Sequence, residues 1–108
     1  MSDKPLYFCS FYVPAEFLEA VLDAIFDAGA GKYRNYDRCA WTTAGEGRFR
    51  PLAGSDPFLG KKENDTRVPE IKVECIVSEE HLEAVEDALI NSHPYEEPAY
   101  HFVSLYRA

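Results

Sequence analysis

Apolar side chains recur at every second position in two stretches of the chain, Leu6 to Val13 and Glu70 to Val77. Strand alternation places Tyr7, Cys9, Phe11 and Val13 on one face of the first run, and Ile71, Val73, Cys75 and Val77 on one face of the second. Each run is followed by apolar residues at helical spacing. These are Leu18, Val21, Leu22 and Ile25 after the first run, and Leu82, Val85 and Leu89 after the second. Glu19, Asp23 and Asp27 fall on the outer side of the first helix. The two strand-helix segments are copies of each other at an offset of 64 positions. Val13/Val77, Glu16/Glu80, Leu18/Leu82, Glu19/Glu83, Ala20/Ala84, Val21/Val85, Asp23/Asp87 and Ala24/Ala88 are identical pairs.

A strand-helix unit used twice in 108 residues predicts a single α+β domain, with two helices on one side of one sheet. The simplest closure is the ferredoxin-like split β-α-β sandwich, β-α-β-β-α-β. Pro14 suits the entry to the first helix, and Gly29 or Gly31 its end. Ser78 is an N-cap for the second helix, with Glu79 and Glu80 in the first turn and Pro94 as the stop. Between the copies, Cys39 to Thr43 predicts a strand, Ala44 to Gly47 a turn, and Arg48 to Arg50 a returning strand. Pro51 to Arg67 then carries Pro51, Gly54, Pro57 and Gly60 and predicts a long loop, which Phe58 and Leu59 should pack down. A last strand is expected over about Tyr100 to Tyr106.

With both helices on one side, the other sheet face has no cover within the chain. Leu6, Phe8 and Tyr12 lie there, with Tyr100, Phe102 and Tyr106 or the alternate residues of the last strand. Exposed apolar faces mark interfaces, so a homo-oligomer is expected, a trimer first and a dimer second.

The net charge of −8 argues against a nucleic-acid partner. It is unevenly spread: residues 31–62 carry +4 and the rest −12. A basic middle segment in an acidic chain is either a solvated hairpin or a contact for an anion or a neighbouring copy's acidic helix. The longest apolar run is far short of a membrane span, and the first residues lack a signal-peptide core, so no membrane partner is expected. The three cysteines, Cys9, Cys39 and Cys75, form no C-x-x-C pair. Cys9 and Cys75 belong to the inward faces of the strands and read as reduced core thiols of a cytoplasmic protein.

Three groups of residues invite chemistry. His93, Glu96 and Glu97 combine imidazole with carboxylates and suit a divalent metal ion, against a shaped turn as the plainer reading. Lys32, Arg48 and Arg50 are candidates for binding an anion. Gly29-Ala-Gly-Lys32 follows a helix instead of opening one and lacks phosphate-loop spacing, which makes it a helix end. His81 takes the place of Phe17 in the repeat and reads as a solvated helix-flank residue, and His101 has no spaced partner, so neither is assigned a role. No Ser/His/Asp or Cys/His grouping points to a catalytic nucleophile.

Gly29 to Cys39, Gly45 to Gly60, and His93-Pro-Tyr-Glu-Glu-Pro-Ala-Tyr100, taken in order, resemble the inserted middle domain of the Nif-three (YbgI/YqfO-like) family. The resemblance covers nearly the whole chain, from about Pro5 onward. It implies a PII/CutA-like domain, ferredoxin-like in fold and assembled through its sheet. In that family the flanking outer domain carries a two-metal site, and this sequence lacks it. The expectation is therefore a non-catalytic, oligomeric regulatory or binding module whose partner is a small ligand or a protein. The alternative is a divalent-metal-binding protein or a metal-dependent enzyme accessory subunit, with His93, Glu96 and Glu97 as ligands.

Overall fold

A computed structural model of the chain describes residues 5–107. Four strands and two helices follow one another as β1 (Leu6–Pro14), α1 (Leu18–Asp27), β2 (Trp41–Phe49), β3 (Thr66–Ser78), α2 (Leu82–Ser92) and β4 (Tyr100–Ser104). The strands form one antiparallel sheet in the order β2-β3-β1-β4. This is the ferredoxin-like arrangement of the α+β class.

The sequence duplication survives as symmetry. Ser10 pairs with Glu74, and Cys9–Cys75 is mirrored by Phe11–Val73. Because Glu74 lies 64 positions after Ser10, a pseudo-twofold axis passes between these two residues and relates the β1–α1 and β3–α2 units. Each helix is also preceded by a short 3-10 turn at matching positions, Ala15–Phe17 and Glu79–His81.

Both helices pack on the face that presents Cys9, Phe11, Val13, Val73, Cys75 and Val77. They contribute Val21, Leu22, Ile25, Val85 and Leu89 to one core. Cys9 and Cys75 sit directly opposite each other as free, buried thiols. The hydrogen bond that the Cys9 thiol donates to the Cys75 sulfur, together with burial, holds the Cys9 thiol protonated. Tyr100 and Phe102 stand opposite Phe11 and Cys9 and pack onto the same core. The open-face set of β4 is thus the alternate one, His101 and Val103. Tyr106 lies beyond the strand, 92% exposed.

The helix ends follow from local chemistry. Ala30 N–H donates to the Ile25 carbonyl and Gly29 N–H to Phe26, the paired bonds of a Schellman turn. Gly29 supplies its left-handed residue, at φ 117°. At the end of α2, Pro94 forces His93 into extended geometry, ψ 138°. Ser78 does not cap α2 with its side chain. Its Oγ lies 2.9 Å from His81 Nδ1, and that ring packs over Gly29.

The middle of the chain departs from the expected hairpin. Residues 44–47 do not turn; β2 runs straight from Trp41 to Phe49 along β3. The glycine that looks like a turn residue is a space-maker: a Cβ on Gly47 would fall onto Glu70 Oε1. β3 begins at Thr66, so its first four residues pair with β2 alone and carry a two-stranded ribbon about 13 Å past the end of β1. Pro69 is tolerated there, because its missing N–H lies on the side where β1 has ended. The molecule is accordingly elongated, 49 × 24 × 23 Å.

Candidate functional site

The ribbon, the loop that closes it and the segment after α2 enclose a cleft of about 730 Å³ on the open side of the sheet. Its floor is built by strand alternation. Tyr12, Thr43, Gly45, Gly47, Glu70, Lys72 and Glu74 all point away from the helices. One wall is the turn after α2, with Tyr95, Glu96, Glu97 and Ala99. The other wall is loop 50–65, with Pro51, Ser55, Pro57, Phe58 and Leu59.

The loop is packed, as Phe58 and Leu59 lead one to expect. Phe58 meets Phe17 edge-on at 5.5 Å and Tyr95 at 6.4 Å. Glu63 N–H donates to the Pro51 carbonyl across the loop neck. Glu96 Oε2 accepts from Asp56 N–H at 2.6 Å, which ties the loop to the opposite wall. Tyr95 stacks in tilted fashion on Phe49 at 6.1 Å, so that three rings from β2 and both walls meet in the cleft.

At the base lies Glu70, 9% exposed. The Tyr95 hydroxyl donates to its Oε2 at 2.6 Å. Burial first, and then this carboxylate, push the Tyr95 hydroxyl well above the ordinary tyrosine range. Glu70 and Tyr95 carry no local signal in the sequence, being 25 residues apart. What the sequence does hold is Gly47, whose missing side chain makes room for the carboxylate.

His93 sits beneath the cleft, outside its lining. Its Nε2 lies 2.6 Å from the Tyr12 carbonyl, and its Nδ1 accepts the Tyr95 N–H at 3.1 Å. That fixes the neutral ring with the proton on Nε2. Burial, outweighing the Tyr12 bond and Glu70, lowers its pKa below the ordinary 6.5. Both nitrogens being used, His93 fastens the turn to β1, while Glu96 faces the loop and Glu97 the cleft. The structure therefore does not converge His93, Glu96 and Glu97 on a metal position, and among the described residues no three His, Cys, Asp or Glu side chains do so.

The three basic candidates are also separated. Lys32 follows Gly31, whose N–H binds the Ile76 carbonyl, whereas Arg48 pairs with Arg67. Nine residue steps along β3 separate these points, roughly 30 Å. Arg48 lines the cleft. Arg50 stands outside it, 4.0 Å from Asp65 across the loop neck, with both side chains exposed. Within the chain its partner is thus a loop residue.

Fold and cleft together define a PII/CutA-like module. CutA1 from Shewanella sp. SIB1 superimposes with a TM-score of 0.70 at 18% identity, over 97% of this chain and 86% of that one. A Bacillus cereus protein related to NIF3 superimposes with a TM-score of 0.85 at 31% identity, over 99% of this chain and 27% of that one. In sequence, the chain is 42% identical over 97 residues to the GTP cyclohydrolase 1 type 2 homolog of Halalkalibacterium halodurans. That match covers 90% of this chain and 26% of the relative, so the chain spans about a quarter of the length of the curated relatives it matches. No family model matches it. The chain is a homologue of a NIF3-family segment, with the fold of CutA.

Proposed function

We propose that the protein is a non-catalytic, homo-oligomeric binding module, whose sheet is covered by further copies of itself and whose cleft takes a small ligand. The observation that carries this reading is the state of β2. Every residue from Trp41 to Glu46 is exposed, although the strand is fully paired on one side. Trp41 stands 69% exposed on the open face, beside Phe8 and Ile76. Among the described residues, no strand lies beside the outward N–H and C=O groups of Thr42, Ala44 and Glu46. Proteins rarely leave such an edge and such a face uncovered.

Binding in preference to catalysis is supported by how the polar groups in and beneath the cleft are used. His93 is spent on backbone contacts, Ser55 Oγ on the Leu52 carbonyl, and Glu96 on Asp56 N–H. The concave, aromatic-walled shape suits a small molecule. The activity in the name of the longer relatives is not part of this reading, because this chain corresponds to a quarter of them. A cytoplasmic location fits the two buried free thiols. No helix among the described residues is long and apolar enough to cross a membrane.

Light scattering at micromolar concentration tests the assembly. The expected mass is a multiple of 12.3 kDa, three chains first, with Trp41→Lys shifting it toward one chain. A native mass of 12.3 kDa would overturn the reading.

A further inference from the structure

We propose that the ligand of the cleft is a small organic cation, an alkyl- or arylalkylammonium, held by the carboxylate of Glu70 against the rings of Phe49, Phe58 and Tyr95. This rests on the reading of the cleft as a ligand site and gives that ligand a chemistry.

Three observations converge on it. Glu70 is more than nine-tenths buried, and the Tyr95 hydroxyl is its hydrogen-bond donor, on Oε2. No described donor reaches Oε1, which lies over Gly47 at the cleft floor. No buried side-chain oxygen among the described residues lacks a partner, so Oε1 meets the solvent of the cleft, and a largely buried carboxylate with one oxygen open to a cleft is the natural counter-ion of an ammonium group. Secondly, the lining carries Glu46, Glu70, Glu74, Glu96 and Glu97 against only Arg48 and Lys72. Lys72 is already 3.9 Å from Glu74. The field in the cleft therefore favours cations and repels phosphates and carboxylates, although residues 31–62, which supply part of its lining, are basic as a sequence. Thirdly, the three rings beside Glu70 give a hydrocarbon a dry surface and a positive charge a set of π faces. A metal ion lacks the convergent ligands, and an anion lacks the charge complement.

The test uses the full chain and 2-phenylethylammonium, with 2-phenylethanol and phenylacetate as the neutral and anionic counterparts of the same shape. Binding is followed by calorimetry and by amide NMR shifts. The ammonium is expected to bind at least tenfold more tightly than the alcohol, and phenylacetate not to saturate. Glu70→Gln, which keeps the side-chain shape and an acceptor for Tyr95, should weaken the ammonium at least tenfold. If that variant fails to fold, the native protein decides: the amides of Gly47 and Glu70 should shift with the ammonium. Their failure to shift overturns the proposal. If the alcohol or phenylacetate binds as tightly, or Glu70→Gln leaves ammonium affinity unchanged, the cleft is a ligand site but not a cation site, and this inference falls alone. If none of the three compounds moves cleft resonances, the cation inference falls together with the ligand-site reading.

Discussion

Replacing Tyr95 by Phe removes one oxygen and little else. The ring keeps its neighbours Phe49, Phe58 and His93, the last at 4.9 Å. What disappears is the 2.6 Å hydrogen bond to Glu70 Oε2. A hydrogen bond to a charged acceptor contributes about 1.5–3 kcal/mol, and more when the acceptor is left buried and unpaired. Glu70 is only 9% exposed, but the cleft lets water approach one side of it, which places the loss near the lower end. Tyr95→Phe should therefore destabilise the chain by about 1–2 kcal/mol. For a domain of this size that lowers Tm by roughly 5–15 °C. Urea unfolding followed by circular dichroism, at one fixed protein concentration, gives the value free of mass-action shifts. The slope with urea should not change. A cycle with Glu70→Leu, which offers Tyr95 no acceptor, should return a coupling of about 1 kcal/mol, because the two side chains share the bond. A loss below about 0.5 kcal/mol for Tyr95→Phe, or no coupling, would refute the idea that this pair fixes the cleft wall.

Other perturbations separate fasteners from bystanders. His93 is held neutral with a lowered pKa, so the folded chain binds fewer protons than the unfolded one as pH falls below about 6.5. Stability is then fully present above that pH and lost as pH falls through the folded-state value. Urea titrations from pH 7.5 to 5 should show a steeper fall for the native chain than for His93→Gln, and parallel curves would contradict the assignment. Arg50→Ala breaks only an exposed 4.0 Å contact with Asp65, so thermal unfolding should register a change of less than about 1 kcal/mol. A larger loss would mean that Arg50 has a partner outside the isolated chain.

The fold was legible because period and repeat agreed. Alternation assigned Cys9, Phe11, Val73 and Cys75 to one face, helical spacing assigned Val21, Ile25, Val85 and Leu89, and the offset of 64 required both units to pack alike. The misread stretches are those where one residue type serves two purposes. Gly45 and Gly47 look like a turn, yet they lie in an extended strand, and Gly47 makes room for a side chain from the neighbouring one. In β4 the run Tyr-His-Phe-Val gives no clean alternation, and only pairing with β1 decides that Tyr100 and Phe102 face the core. The candidate site was half visible. Arg48, Glu96 and Glu97 do line one cleft, but from different elements, β2 and the turn after α2. His93 beside two glutamates resembles a ligand, whereas the extended geometry imposed by Pro94 turns its ring onto the Tyr12 carbonyl. Glu70 opens a strand and looks like an ordinary solvated end, since its burial depends on Tyr95, which meets it only in three dimensions.

The assembly is the central claim, and the chain contains its own reporter. Trp41 is the only tryptophan, and it stands 69% exposed on the open sheet face of a single chain. Acrylamide quenching of its fluorescence, compared between native and urea-unfolded protein at micromolar concentration, measures whether another copy covers that face. The account predicts a blue-shifted native emission and quenching several-fold weaker than in the unfolded chain. Native quenching equal to that of the unfolded chain would leave the face open to water and contradict it.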